Sequence, residues 1–361
     1  MKIEKDDERE LIQILRGIAI ILVVFHHVCY TCNISNSVEV VISIINRVHV
    51  MIFFVISGWL FEKNKIKYSE EGVVKFVKKK FVQLIIPYIF FSLSFSMIIW
   101  CGYHIPQLNK ITDRIANGNI KNISQIVFDV IFYRNVYFES LWFLYAMFIL
   151  MIIMFILRDD MFLKGYVVGF FLIVHIITKA YLWMFFDINS YIILDSILSY
   201  FIWIMLGRYF FKKFKNGFYI HKNVMVISAI MLLGCILRNY LVDLHDFMGL
   251  YTRALWMQIE IFIIRITFLI IAVAICKKLL IWNKYRIMKK IGDYSYDIYL
   301  VHNPWIVSTL SIIMSRWFEW YIVIILGTIM TLIFSVLISL TLKKICNPFY
   351  RICFGKWAIT K

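Results

Sequence analysis

Arg16 and His27 stand eleven residues apart in a stretch whose intervening residues, Gly17-Ile18-Ala19-Ile20-Ile21-Leu22-Val23-Val24-Phe25, are apolar up to His26. On a helix, eleven residues turn the chain about 20° past three full turns. The two side chains therefore share one face about 16 Å apart, while His26 points elsewhere. The pair sets a permanent cation and a proton-exchanging imidazole on that face. In lipid each costs several kcal/mol unless it meets partners or a polar cavity, so both are site candidates. The competing reading lets Arg16 snorkel to the headgroups and makes His27 a satisfied core histidine. Their joint placement on one face weighs against it.

Two further histidines interrupt apolar segments. His49 lies in Arg47-Val48-His49-Val50-Met51-Ile52-Phe53-Phe54-Val55-Ile56-Ser57-Gly58-Trp59, where the Ser-Gly pair is small enough for close helix packing. His302 lies in Gly292-Asp293-Tyr294-Ser295-Tyr296-Asp297-Ile298-Tyr299-Leu300-Val301-His302-Asn303-Pro304, and Pro304 is expected to bend the helix just past it.

The elements that must position these residues follow from composition. A chain of 361 residues that is 62% hydrophobic and 17% charged was built for lipid. Without water, only helices or closed barrels satisfy the backbone, and long apolar runs without period-2 alternation select helices. The expectation is an all-α, polytopic integral membrane protein of about ten transmembrane helices. The predicted spans lie near 11–32, 38–62, 81–103, 139–157, 164–183, 190–211, 219–238, 254–276, 296–315 and 318–342. The second is interrupted by Asn46, Arg47 and His49.

The net charge of +17 is not a nucleic-acid signal, because the 39 Lys and Arg gather in the short segments between apolar runs. With a cytoplasmic N-terminus, the inner side takes the great majority, and the outer side holds Lys110, Arg114, Lys121, Arg134, Arg238, Arg253 and Arg316. Both termini are thus expected in the cytoplasm, with membrane lipids as partners and the cytoplasmic membrane as location. Residues 1–361 read as one transmembrane domain. Residues 63–80 read as a basic cytoplasmic loop, and 102–139 as an extracytoplasmic loop that would serve as a lid or an acceptor-binding segment. Met1 to Glu10 is a mixed acidic and basic stretch and not a cleavable signal. Seven cysteines scatter mostly through apolar runs without a disulfide framework.

Taken together, the histidine stretches resemble, in order, signature segments of the acyltransferase-3 family of membrane-bound acyltransferases. Arg16 and His27 match the family's Arg, ten residues and His in the first helix. His49 to Gly58 corresponds to "His-x-Met, two Phe, Ser-Gly", and Ser295 to His302 to "Ser, Ile-Tyr-Leu, His". Leu141-Trp142-Phe143-Leu144 is similar to the family's "Leu-Trp-Phe-Leu" at the start of a middle helix. The resemblance spans residues 10–305 and is to polysaccharide O-acetyltransferases without an appended soluble domain. One departure stands out: where many members carry Arg-x-x-Arg before a proline, this chain has Lys80 and Gln83 before Pro87, which weakens a bidentate phosphate grip.

The resemblance implies transfer of an acyl group, commonly acetyl from acetyl-CoA, to a hydroxyl of a surface glycan, a lipid-linked glycan or a similar envelope molecule. Acyl-CoA is then a donor substrate, with no bound cofactor or metal expected. His27 becomes the general base for a weakly nucleophilic hydroxyl. Arg16 is placed to hold coenzyme phosphates, with Lys80 keeping one charge of the departed pair. His49 and His302 would orient the thioester or stabilise its oxyanion, with structural packing an equal alternative. Trp142 and Tyr299 would line the acceptor site, against a belt role for interfacial aromatics.

Other signals are set aside. Cys29-x-x-Cys32 lacks a second Cys pair and a soluble redox fold. His175 and Lys179 at i, i+4, with Asp195, Glu260 and Arg265 in spans, either line a polar cavity or pair with one another. The competing functional class is a transporter or flippase for a lipid-linked sugar or small solute, which a bundle with buried His, Arg, Asp and Glu would also suit. The order and spacing of the motifs favour the enzyme.

Overall fold

The computed structural model describes residues 5–32, 36–115, 120–134, 137, 139–185, 192–215, 220–241 and 248–356. Among them the protein is helical throughout, without strands. The N-terminal part runs through α1 (Lys5–Tyr30), α2 (Asn36–Val48), α3 (Met51–Lys63), α4 (Lys65–Lys80) and α5 (Ile86–Tyr103). The expected loop at 63–80 is thus helical over α4, kinked at Gly72 where φ is +76°. Within 102–139 lie the short α6 (Asn109–Ile115) and α7 (Ile123–Phe132).

The middle of the chain forms α8 (Trp142–Ile156), α9 (Gly165–Phe185), α10 (Ile192–Phe214), α11 (Lys222–Leu241) and α12 (Leu250–Ile281). The C-terminal part holds α13 (Arg286–Asp293), α14 (Ser295–Val301), α15 (Val307–Met314), α16 (Trp320–Ile345) and α17 (Asn347–Cys353).

Eight helical stretches among the described residues are long and apolar enough to cross a membrane: Asp7–Tyr30, Glu39–Lys63, Lys65–Tyr103, Gly165–Leu182, Ile192–Phe214, Lys222–Leu241, Leu250–Ile281 and Trp320–Ile345. The outward residues of α11, among them Val224, Ile227, Ile230, Leu233 and Leu237, are exposed and apolar, a surface suited to lipid rather than water. The chain is accordingly a multi-pass membrane protein.

Several of the ten predicted spans do not form one long helix, and that at 38–62 parts at His49 into α2 and α3. The segment at 139–157 is a single 3₁₀ turn followed by the 15-residue α8. The segment at 296–315 is α14, a π turn over His302–Ile306 and α15, broken where Asn303 is extended at φ −125°, ψ 139°. Pro304 lacks the amide hydrogen that a continuing helix would use, so the ladder opens just past His302. The bend expected at Pro304 is thus present as a break in the ladder, whereas the 3₁₀ turn over Glu139–Leu141 was not anticipated.

Helix α1 is central: α2, α3, α12, α13, α14, α15 and α16 all pack on it. Two crossings depend on glycine. A Cβ on Gly58 would stand 2.0 Å from the Ile204 carbonyl oxygen, and one on Gly207 2.1 Å from that of Val55, so α3 and α10 meet backbone to backbone. Likewise a Cβ on Gly17 would lie 2.2 Å from the Met288 oxygen and one on Gly292 1.8 Å from that of Gln13. The second crossing seats α1 on α13 one residue from Arg16.

Candidate active site

Four imidazoles form a row at the far end of α1. His26 and His27 are adjacent on that helix with ring centroids 5.4 Å apart. Consecutive helical residues diverge by about 100°, so their rings turn toward different neighbours. His27 faces His302, centroid to centroid 5.2 Å. His26 stacks on His49 at 4.9 Å with the rings 20° from parallel. The direction that separates His26 from the Arg16 face is therefore the direction of His49. Sequence reasoning passed over His26; the doubled histidine inside an apolar span was the available signal.

Helix breaks place the two partner rings. His49 occupies the gap between α2 and α3, at the interruption expected in the second span, and its Nδ1 donates to the Ile45 carbonyl at 2.9 Å. His302 closes α14, and its Nδ1 donates to the carbonyls of Tyr299 at 2.8 Å and Ile298 at 3.1 Å. A carbonyl only accepts, so in the neutral ring each Nε2 is left as the lone-pair nitrogen. His302 Nε2 is buried with no hydrogen-bond partner among the described residues, and so is His26 Nδ1. No group of three or more His, Cys, Asp or Glu among the described residues is arranged to hold a metal ion.

An aromatic wall continues from the row. Tyr299 lies 5.9 Å from His302 and 5.3 Å from Phe143, and its hydroxyl donates to the Ser140 carbonyl at 2.6 Å. That bond ties α14 to the 3₁₀ turn that leads into α8. Phe143 meets Phe54 at 5.0 Å, and Trp142 stacks on Tyr200 at 5.5 Å. Tyr299 and Trp142 thus belong to one wall, with Tyr299 next to the imidazoles and Trp142 beyond Phe143.

Arg16 sits three turns away at the α1–α13 crossing, within electrostatic reach of Asp293 and with no ion pair among the described residues. Lys80, at the end of α4, lies over the rings of Tyr68 at 5.5 Å and Phe76 at 5.7 Å. At Gln83, the position that departs from the resembled motif, the backbone carbonyl accepts from the Tyr296 hydroxyl at 2.6 Å, which couples the π turn after α4 to α14. Near the end of α10, Arg208 is fully buried. It donates to Glu62 at 2.9 Å and to the Leu157 and Arg158 carbonyls at 2.7 and 3.2 Å. Close by, hydrogen bonds from Lys65 and Lys212 pull the exposed Asp160 carboxyl down to about 2.

The family model described as an acyltransferase domain matches residues 10–340. The chain belongs to the acyltransferase-3 family. Among curated proteins and solved structures, nothing matches it.

One cluster in this membrane acyltransferase reaches past the matched region. Asp297, buried on α14 five residues before His302, accepts hydrogen bonds from Ser339 and Tyr350 at 2.6 Å each and from Lys356 at 2.8 Å. Tyr350 and Lys356 lie after residue 340, so the C-terminal segment clamps the helix that carries His302. The sequence offered little sign of it, because a lone Asp in a span becomes informative only once its three donors are known.

Proposed function

We propose that this acyltransferase moves an acyl group, acetyl first, from acyl-CoA to a hydroxyl of a cell-surface or exopolysaccharide glycan or a related envelope molecule. The observation that carries the reading is the facing pair His27 and His302, with His302 Nε2 buried and bare. An N–H of His27 turned to that lone pair leaves the other nitrogen of His27 free to take the acceptor's proton, the base-and-orienter arrangement of activated nucleophiles. The hydroxyl oxygen then attacks the thioester carbonyl, the C–O bond forms and the C–S bond breaks. The coenzyme leaves as thiolate and takes up the proton. Arg16 and the basic face around Lys80 suit the coenzyme phosphates, and the Tyr299 to Trp142 wall suits a sugar ring. Ten spans with both termini cytoplasmic would put the Arg16 end of α1 inside and the imidazoles toward the outer half, in keeping with the distribution of Lys and Arg.

The break between α14 and α15 also favours a second reading, since discontinuous helices are how many transporters build midplane sites. The two part on His27→Ala. With labelled acetyl-CoA and an envelope glycan, acyl transfer is expected to fall by at least about 100-fold with the protein still inserted. Unchanged transfer by the variant removes the enzyme assignment of His27.

A further inference from the structure

Beyond the imidazole row, on the His49 side, hydrogen-bond donors outnumber acceptors. Arg265 is nine-tenths buried in α12, its guanidinium 5.2 Å from the Tyr200 ring and 5.7 Å from that of Trp203. Its one hydrogen bond among the described residues runs from Nε to the backbone carbonyl of Arg47 at 2.7 Å, so it has no carboxylate partner there. Arg47, two residues before His49, presents a buried Nη1 with no acceptor, and its charge reaches Arg265. Trp203 adds a third buried donor, an Nε1 without a partner.

The acids nearby are already engaged. Asp195, whose charge also reaches Arg265, pairs with Lys179, and Glu260 is taken by Arg238 and by Asn239 at 2.7 Å. Four cations against two carboxylates leave two guanidinium charges unmatched inside a helical bundle. Such charges are very costly unless an anion meets them.

We infer that Arg47, Arg265 and Trp203 form a binding site for a phosphate group beside His49, one that takes either a membrane phospholipid headgroup or the phosphate of a lipid-carried acceptor. Two planar guanidinium forks and an indole N–H match a multiply charged, multi-oxygen anion better than one carboxylate, which two forks would over-coordinate. Tyr200 and Trp142 stand next to the site, so a sugar attached to that phosphate would lie along the aromatic wall leading to the imidazoles. The acceptor version rests on the acyl-transfer reading above. The phosphate site itself does not.

The test is binding, independent of turnover. Wild-type protein in zwitterionic nanodiscs is titrated with labelled farnesyl monophosphate, with farnesol as the phosphate-free control. Binding is expected for the first and not the second, and both Arg47→Gln and Arg265→Gln should weaken it at least about tenfold. Displacement by phosphatidylglycerol added to the discs assigns the site to headgroups. Persistence of binding assigns it to a prenyl-type carrier.

Arg265→Gln loses a bond to the backbone, but Arg47→Gln loses no partner, so Arg47→Gln should keep or raise the ligand-free Tm and decides the matter if the other variant does not fold. Equal binding by wild type and Arg47→Gln, or no binding by wild type, overturns the proposal. Phosphate binding that persists in protein showing no acyl transfer would refute the enzyme reading and leave this one standing.

Discussion

Replacing Gly292 by alanine tests whether the α1–α13 crossing is what holds Arg16. The new Cβ would sit 1.8 Å from the Gln13 oxygen, 2.7 Å from its carbonyl carbon and 3.1 Å from the Gly17 nitrogen. All three are backbone atoms, so no side chain can swing away. Ordinary contact needs about 3.4 Å, so the helices must part by roughly 1.5 Å. Overpacking of this kind costs about 1–3 kcal/mol, and a clash with backbone belongs at the upper end. The expected fall in Tm is roughly 4 °C. Arg16 precedes Gly17 and moves with α1, and a misplacement of about 1 Å costs on the order of 100-fold in rate. Thermal unfolding in detergent and kcat/KM for acetyl-CoA are the assays. Gly234→Ala is the control, since a Cβ there meets nothing within 4 Å. If Gly292→Ala matches Gly234→Ala in both measurements, the crossing does not position Arg16.

Glu62→Gln should destabilise by about 3 kcal/mol, because it removes the carboxylate charge paired with fully buried Arg208 and leaves it only neutral acceptors; a Tm equal to wild type would show the pair to be dispensable. Asp160 makes stability depend on pH in one direction. Its folded pKa is depressed to about 2, so its contribution is complete above the unfolded value of about 4 and is lost as pH falls toward 2. The Tm gap between wild type and Asp160→Asn should therefore be constant at neutral pH and close below about pH 4, whereas a gap that widened on acidification would reverse the assignment. Arg16→Gln should lower kcat/KM for acetyl-CoA about tenfold or more yet leave S-acetyl-pantetheine, which lacks phosphates, unaffected; an equal loss with both donors would remove Arg16 from the phosphate site.

Helical phase and apolar spacing sufficed to anticipate an all-helical membrane protein and to single out Arg16, His27, His49 and His302. They did so because a polar group in lipid is expensive wherever it occurs, so its presence is visible without knowing its neighbours. The remainder depended on neighbours. His26 was set aside because it leaves the Arg16 face, and only the packing of α2 and α3 on α1 shows that its own direction is occupied by His49. The same holds for Asp297, whose donors lie on α16 and at the C-terminal end of the described chain, and for Arg265, whose acceptor belongs to a residue more than two hundred positions away. Breaks in the spans were legible where a local signal marked them: Pro304 past His302, and the polar Asn46, Arg47 and His49 between α2 and α3.

The two partner histidines share one hydrogen-bond pattern. Each ring lies one turn past a carbonyl that already accepts the histidine's own amide, Ile45 from His49 and Ile298 from His302, and a carbonyl oxygen has a second lone pair to offer. At the end of α2 the Ile45 carbonyl meets His49 Nδ1, and at the end of α14 the carbonyls of Ile298 and Tyr299 meet His302 Nδ1. Donation into a carbonyl lone pair thus selects the tautomer of the ring, and each Nε2 is left as an acceptor beside α1. These bonds convert two buried histidines into two oriented ones, and His26 and His27 supply the adjacent pair of rings between them.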